Sequence, residues 1–407
     1  LNFKMKNLRT YFLLFSTISI SVLACSKKSD TQPNLVVPPV VVPPPTGGTT
    51  TGFTISQSLN QATPNTDLDM WTIYSSATQA ATDFKPLPTG FNDKIMSFVL
   101  PKGNMAVFAE NEDGTGESIC YVAVTSDIKE NLPARLVGKV SYVRMVPFRN
   151  LSKRGMCQTN FNDVQALQGS WYYNWGLNSV SIPTIQAVPM NWSSHGAYSG
   201  SITAALNLVG RRDIDHLLSF NEPDGAKQAN MPDIDDAVTR YQFMLKPGLR
   251  MCSPAVTQDN ATGDTRWLQQ FMTAADAAKA RVDVIALHWY DWGNETNNKS
   301  TDQLNADAIL SRFKAYINRV HTAYPNQALW FTEYNCNPAR NEAVHLLFMK
   351  SSTEYLNSLS YVERYAYFFP GVLPATSGTP NYTLTAMGKT WSEISSPSSL
   401  TANVIPK

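Results

Sequence analysis

From residue 153 onward, short apolar runs alternate with longer amphipathic stretches. Eight runs read as strands: Arg154–Cys157, Ser170–Trp175, Ile185–Trp192, His216–Asn221, Leu249–Ala255, Val282–Tyr290, Ala328–Tyr334 and Val362–Phe369. The stretches between them, such as Asp302–Ala323 and Asn341–Ser358, are mostly long enough for a helix or a long loop. This alternation argues for a parallel sheet with crossover helices. Eight such units in about 240 residues predict an α/β fold, a (β/α)8 TIM barrel over 150–407. Residues 53–149 have another texture. Apolar runs of strand length are broken by turn residues, which predicts a smaller all-β domain.

The amino-terminal segment fits neither pattern. Met5-Lys6-Asn7-Leu8-Arg9 reads as a basic head, and Tyr11 to Leu23 as an apolar run. The run falls short of the about 20 apolar residues that a membrane span needs. It has the length of a secretory signal's apolar region. It ends in Ser21-Val22-Leu23-Ala24-Cys25, which resembles the bacterial lipobox. The resemblance implies that 1–24 is a lipoprotein signal peptide, that Cys25 carries lipid, and that the protein is exported and anchored in the cell envelope, with the outer membrane as the expected side. Residues 25–52 follow as a Pro/Gly/Thr-rich linker. Proline-rich chain is extended at about 3.1 Å per residue, so this linker could span roughly 80 Å.

Net charge is +1, charged residues are 16% and no basic stripe is present, so nucleic acid is not expected as a partner. Aromatic residues are 11% of the chain, a composition that fits sugar binding better than phosphate binding. No phosphate loop or dinucleotide glycine pattern follows a strand. No metal-ligand spacing is visible, so no cofactor and no metal are expected. Cys120, Cys157, Cys252 and Cys336 lie far apart. Four buried thiols and any of three full pairings stay open. A monomer is expected.

In a parallel barrel the chemistry sits at the carboxyl ends of the strands. Two of those ends carry a glutamate, Glu222 in Ser219-Phe220-Asn221-Glu222-Pro223-Asp224 and Glu333 in Trp330-Phe331-Thr332-Glu333-Tyr334. A buried glutamate needs a partner or a task. One reading is a pair of carboxylates for glycoside hydrolysis. The other is two glutamates paired with Arg or Lys on the rim. Carboxylates alone do not decide between them.

Their neighbours do. Asn221-Glu222-Pro223 and Thr332-Glu333 on the fourth and seventh strands resemble clan A glycoside hydrolases. Lys153-Arg154-Gly155, Trp171-Tyr172-Tyr173-Asn174-Trp175, Val188-Pro189-Met190-Asn191-Trp192, Phe220-Asn221-Glu222-Pro223-Asp224, Ser253-Pro254-Ala255, His288-Trp289-Tyr290 and Thr332-Glu333 follow one another as in glycoside hydrolase family 128. That resemblance implies a retaining β-1,3-glucanase with Glu222 as acid/base and Glu333 as nucleophile. It implies that Asn221 bonds the sugar 2-hydroxyl and that Tyr290 holds the nucleophile. His288 shares a strand face with Tyr290 by the period of two, and either touches sugar, orients a glutamate or is a core histidine. Trp175, Trp192 and Trp292 are candidates to stack on sugar rings. A surface glycan-binding lipoprotein without turnover is the alternative.

Within 53–149, the stretch from Phe91 to Glu110 resembles a βγ-crystallin Greek-key motif, with Glu112-Asp113-Gly114-Thr115-Gly116 at its hairpin. Calcium-binding members pair Asn/Asp residues with a later hydroxyl. Here Asn92-Asp93 is followed by Met96, so calcium is not expected. The module is expected either to stabilise or space the chain, or to bind glucan or cell wall as an accessory.

Overall fold

The structure, a computed structural model, describes residues 52–76, 83–193, 205–292, 298–378 and 382–406. The expected signal peptide, Cys25 and the linker up to residue 51 lie outside the described residues. Among the described residues no helix is long and apolar enough to cross a membrane.

The first region is built from nine strands: β1 (Thr54–Ser56), β2 (Asn65–Asp67), β3 (Ile73–Ser75), β4 (Phe84–Pro86), β5 (Ser97–Leu100), β6 (Asn104–Ala109), β7 (Ser118–Ala123), β8 (Ile128–Asn131) and β9 (Tyr142–Pro147). They form one sheet ordered β2-β1-β5-β8 and a second ordered β4-β3-β9-β6-β7. β6 and β7 make the hairpin expected around Gly114. Asp93 accepts side-chain hydrogen bonds from Asn92 at 2.9 Å and from Ser141 at 3.0 Å.

Every residue of β6 and β7 is buried. Side chains alternate across a strand, so both faces of the second sheet must be covered. Ala106 and Phe108 of β6, with Tyr121 of β7, pack toward the first sheet. Met105 and Val107, with Cys120 and Val122, join the large core of the second region. Arg144 of β9 crosses the same boundary and donates to the backbone carbonyls of Val209, at 2.8 Å, and Pro247. Near the carboxyl end, Asn403 accepts from the amides of Val124 and Thr125 at 2.7 and 2.9 Å.

The second region carries eight parallel strands: β10 (Arg154–Cys157), β11 (Trp171–Tyr173), β12 (Gln186–Ala187), β13 (His216–Leu217), β14 (Arg250–Met251), β15 (Val284–Tyr290), β16 (Ala328–Asn335) and β17 (Val362–Tyr367). One ladder runs β12-β11-β10-β17-β16-β15 and a second pairs β13 with β14. Parallel bridges Met190–Leu218 and Cys252–Val284 join the short ladder to the long one on either side. β12, β13 and β14 are shorter than the sequence pattern suggests, because the chain leaves regular pairing and continues through single bridges.

Helices α1 (Phe161–Leu167), α2 (Ile234–Phe243), α3 (Trp267–Ala277), α4 (Asp302–Ala323), α5 (Glu342–Ser358) and α6 (Ala386–Glu393) cover the ladder. α4 starts where Thr301 accepts from the Leu304 amide, and α5 where Asn341 accepts from that of Val344. Such caps satisfy amides that a helix start leaves open. Two apolar layers result. Ile285, Leu287, Leu329 and Phe331 face the helices. Val284, Ala286, Trp330, Trp171 and Ala366 face one another inside the ladder. Among the described residues, Cys120, Cys157, Cys252 and Cys336 are buried thiols that form no disulfide with one another.

Candidate active site

β16 alternates until Thr332. Leu329 and Phe331 point toward the helices, and Trp330 points inside. Continued alternation would turn Glu333 outward and Tyr334 inward. A register shift between Leu287 and His288 prevents this, setting Leu287 opposite Phe331 but His288 opposite Glu333. The residue skipped is Thr332, whose hydroxyl donates to the Leu287 carbonyl at 3.2 Å. Such a bulge re-aims the following side chains. Tyr334 therefore packs on the helix side, and Glu333 is buried on the inside, 3% exposed.

Glu222 arrives from the end of β13. Asn221 bridges Ala255, and the Glu222 amide donates to the Ala255 carbonyl at 2.7 Å. Its φ is +43°, a left-handed conformation that costs a side-chain-bearing residue roughly 1–3 kcal/mol and is held only when its surroundings impose it. Beyond it, both carboxylate oxygens of Asp224 are engaged, one by the Thr257 amide at 3.2 Å and the other by Asn260 at 2.8 Å. Trp175 is also left-handed, with φ +58°. Two site residues thus sit in unfavourable backbone conformations, a pattern typical of functional sites.

His288 of β15 stands between the two glutamates. Its Nδ1 is 2.9 Å from Glu222 Oε1, and its Nε2 is 3.5 Å from Glu333 Oε1. Burial works against a charged ring. The charge of Glu333, the hydrogen bond and charge of Glu222 and the charge of Asp224 outweigh it, raising the imidazole pKa above its ordinary value. Glu333 accepts from Trp175 Nε1 at 2.8 Å, from the Tyr173 hydroxyl at 3.2 Å and from the Tyr290 hydroxyl at 2.5 Å. Charge-assisted bonds of this kind are the strong ones. Among the described residues, no Arg or Lys pairs with either glutamate, so the rim-pairing reading falls away.

The remaining expected residues are near this centre but differ in exposure. Asn221 is buried, donates to Gln228 Oε1 at 3.3 Å and has no protein partner for Oδ1. Trp192 is half-buried and its carbonyl accepts from the Asn221 amide at 3.0 Å. Trp292 is 52% exposed, with its ring 6.1 Å from that of Tyr290. Sequence reasoning gave no role to Tyr173, Gln258 or Phe368. Gln258 accepts from the Tyr290 amide at 2.8 Å. The Phe368 ring lies edge-on to Trp175 at 6.1 Å and to Tyr290 at 5.9 Å. Asp291, next to Tyr290, is clamped by Arg312 through two 2.7 Å bonds and by Arg340 at 3.0 Å.

Sequence spacing shows no cluster of metal-ligand residue types, but the fold brings three such residues together. Glu222 lies beyond β13, His288 on β15 and Glu333 on β16, and a donor atom of each lies within 4.8 Å of the others.

The family model described as glycosyl hydrolase catalytic core matches residues 155–396. No curated protein matches the chain. Among solved structures, the chain is similar to a family 128, subgroup I endo-β-1,3-glucanase from Amycolatopsis mediterranei in complex with laminaritriose. Identity is 28%, covering 59% of this chain and 98% of that one, with a TM-score of 0.50. A variant of that enzyme in complex with laminaripentaose is matched at 28% identity over 60% of this chain and 99% of that one, again with a TM-score of 0.50.

Proposed function

The chain belongs to the glycosyl hydrolase catalytic core family, and from that premise we propose that it hydrolyses β-1,3-glucan with retention, using Glu222 as acid/base and Glu333 as nucleophile. The observation that carries this reading is the carboxylate pair itself. Oxygens of Glu222 and Glu333 approach within 4.8 Å at the carboxyl ends of two parallel strands. An inverting pair stands roughly 6.5–9.5 Å apart to admit water, whereas a retaining pair stands about 5–5.5 Å apart. The similarity to glucanases bound to laminari-oligosaccharides supports the substrate class.

On this reading Glu222 gives its proton to the glycosidic oxygen as a Glu333 oxygen bonds the anomeric carbon and the glycosidic C–O bond breaks. Glu222, now ionised, takes a proton from water. The water oxygen attacks the same carbon and Glu333 leaves. Tyr173, Trp175 and Tyr290 hold the nucleophile and stabilise its negative charge before and after attack. Asn221 engages the 2-hydroxyl. Trp175, Trp192 and Trp292 offer rings to sugar faces. The strand pairings described above fit a closed (β/α)8 barrel. The Cys25 motif fits a lipid anchor in the cell envelope, and the first region fits a βγ-crystallin-like module.

The test is product analysis. The purified protein is incubated with laminarin, mixed-linkage β-glucan, cellulose and xylan, beside Glu333→Ala. Short β-1,3-oligosaccharides from laminarin, absent with the variant, are expected. A folded protein that binds laminarin and releases nothing would favour the glycan-binding alternative.

A further inference from the structure

We propose that His288 Nε2 and Glu333, with Glu222 as the carboxylate that orients the imidazole, also form a binding site for a late first-row divalent cation, Zn2+ being the representative, and that the bound cation excludes the glycan. Two carboxylate oxygens and one imidazole nitrogen lie within 4.8 Å of one another. His288 is fully buried, and its Nε2 makes no hydrogen bond with the protein. That nitrogen stands 3.5 Å from Glu333 Oε1. Zinc holds imidazole nitrogen and carboxylate oxygen at about 2.0–2.2 Å, and two such bonds at a near-tetrahedral angle bridge about 3.4 Å. The existing separation is therefore close to the bite that zinc needs.

The surroundings act as an outer shell. The hydrogen bond from His288 Nδ1 to Glu222 fixes which ring nitrogen is free. Trp175 and Tyr290 fix the Glu333 carboxylate. Such partners orient metal ligands and strengthen their hold. Charge favours the same conclusion, because two carboxylates converge with no Arg or Lys paired to them among the described residues. Imidazole suits Zn2+, Ni2+ and Cu2+, whereas Mg2+ and Ca2+ take oxygen ligands and retain water. With Glu333 held by a cation, attack on the sugar cannot begin.

Direct binding tests the site without reference to the hydrolytic reading. Untagged protein is titrated calorimetrically with ZnCl2 near neutral pH, with MgCl2 in parallel, and Co2+ is added separately for its visible spectrum. One zinc site and no magnesium site are expected. His288→Ala should weaken zinc binding by at least about tenfold. Glu333→Gln, which keeps the side chain's shape, should do the same if His288→Ala does not fold by circular dichroism. The cobalt spectrum should lack thiolate bands, since the described cysteines are buried. Zinc binding that survives in folded Glu333→Gln and His288→Ala would overturn the proposal, as would no zinc binding by the folded protein. With laminarin as substrate, zinc should raise KM at constant kcat and be reversed by a chelator. A fall in kcat at constant KM would overturn the exclusion of glycan.

Discussion

The two ends of the parallel strands each bury a histidine among carboxylates, and they settle those charges differently. At the strand starts, Arg250 makes a bidentate pair with Glu363 at 2.6 and 2.7 Å, and Trp330 Nε1 adds a third bond at 3.0 Å. His216 Nδ1 is 2.6 Å from Asp215, and Arg364 lies over the Trp330 ring at 4.5 Å. At the strand ends, Glu222 and Glu333 have a shared histidine, an indole and two tyrosine hydroxyls, but no guanidinium among the described residues. Their effects on the histidines differ in sign. Burial, helped by Arg364 and Arg250 and opposed by Asp215, lowers His216 to about 4. His288 is raised. Carboxylates matched by arginine hold the fold. On the proposed function, those left with neutral donors and one imidazole are the ones that transfer a proton or attack carbon.

Breaking the strand-end cluster should remove activity and spare the fold. Glu333→Ala should lower kcat/KM by at least about 10^4-fold, near 5.4 kcal/mol, with an unchanged or higher Tm. Glu222→Ala should cost about 10²–10⁴-fold. A comparable loss of Tm in either would place these residues with the structural pairs. The strand-start pair should respond in the opposite way. Glu363→Ala leaves Arg250 buried and unmatched, which costs about 3–5 kcal/mol. Urea unfolding should show that loss, while activity per folded molecule stays close to that of the parent.

The histidines sharpen the comparison through pH. His216, held below its unfolded value of 6.5, contributes stability above that pH that is lost as pH falls toward 4. His288, held above 6.5, contributes stability below that pH that is lost as pH rises through its raised value. Unfolding curves across pH for His216→Gln and His288→Gln, each subtracted from the parent, should slope in opposite directions. Parallel slopes would contradict the contrast.

Smaller effects should come from the supports of the cluster. Asp291→Asn loosens the clamp of Arg312 and Arg340 beside Tyr290, and a misplaced Tyr290 should lower kcat by about tenfold. Trp292→Ala at the exposed rim should raise KM a few-fold with little change in kcat, roughly 1 kcal/mol of uniform binding.

Much of this arrangement was legible in the chain. β10 and α4 match their sequence patterns residue for residue, because each carries a complete local signal: a short apolar run, or a capped amphipathic helix. The shortness of β12, β13 and β14 was not legible, since apolar residues continue past the last regular pair. The glutamates stood out by motif, but the orientation of Glu333 depends on the bulge at Thr332, a register between strands that no single-strand period reveals. Tyr173 and Phe368 escaped for a related reason. Tyr173 reaches Glu333 across 160 positions of chain, and the meeting of Phe368 with Trp175 and Tyr290 exists only once the strands are side by side. The second sheet's covered outer face was hidden too, because an apolar residue on β6 does not say which neighbour buries it.

The anomeric form of the first sugar released tests the central claim most directly. Proton NMR of early laminarihexaose hydrolysis by the purified protein would resolve it. The account predicts the β-anomer first, followed by mutarotation to the α-form, as a closely spaced Glu222–Glu333 pair requires. Initial release of the α-anomer would contradict it, because inversion needs a water molecule placed between the two carboxylates.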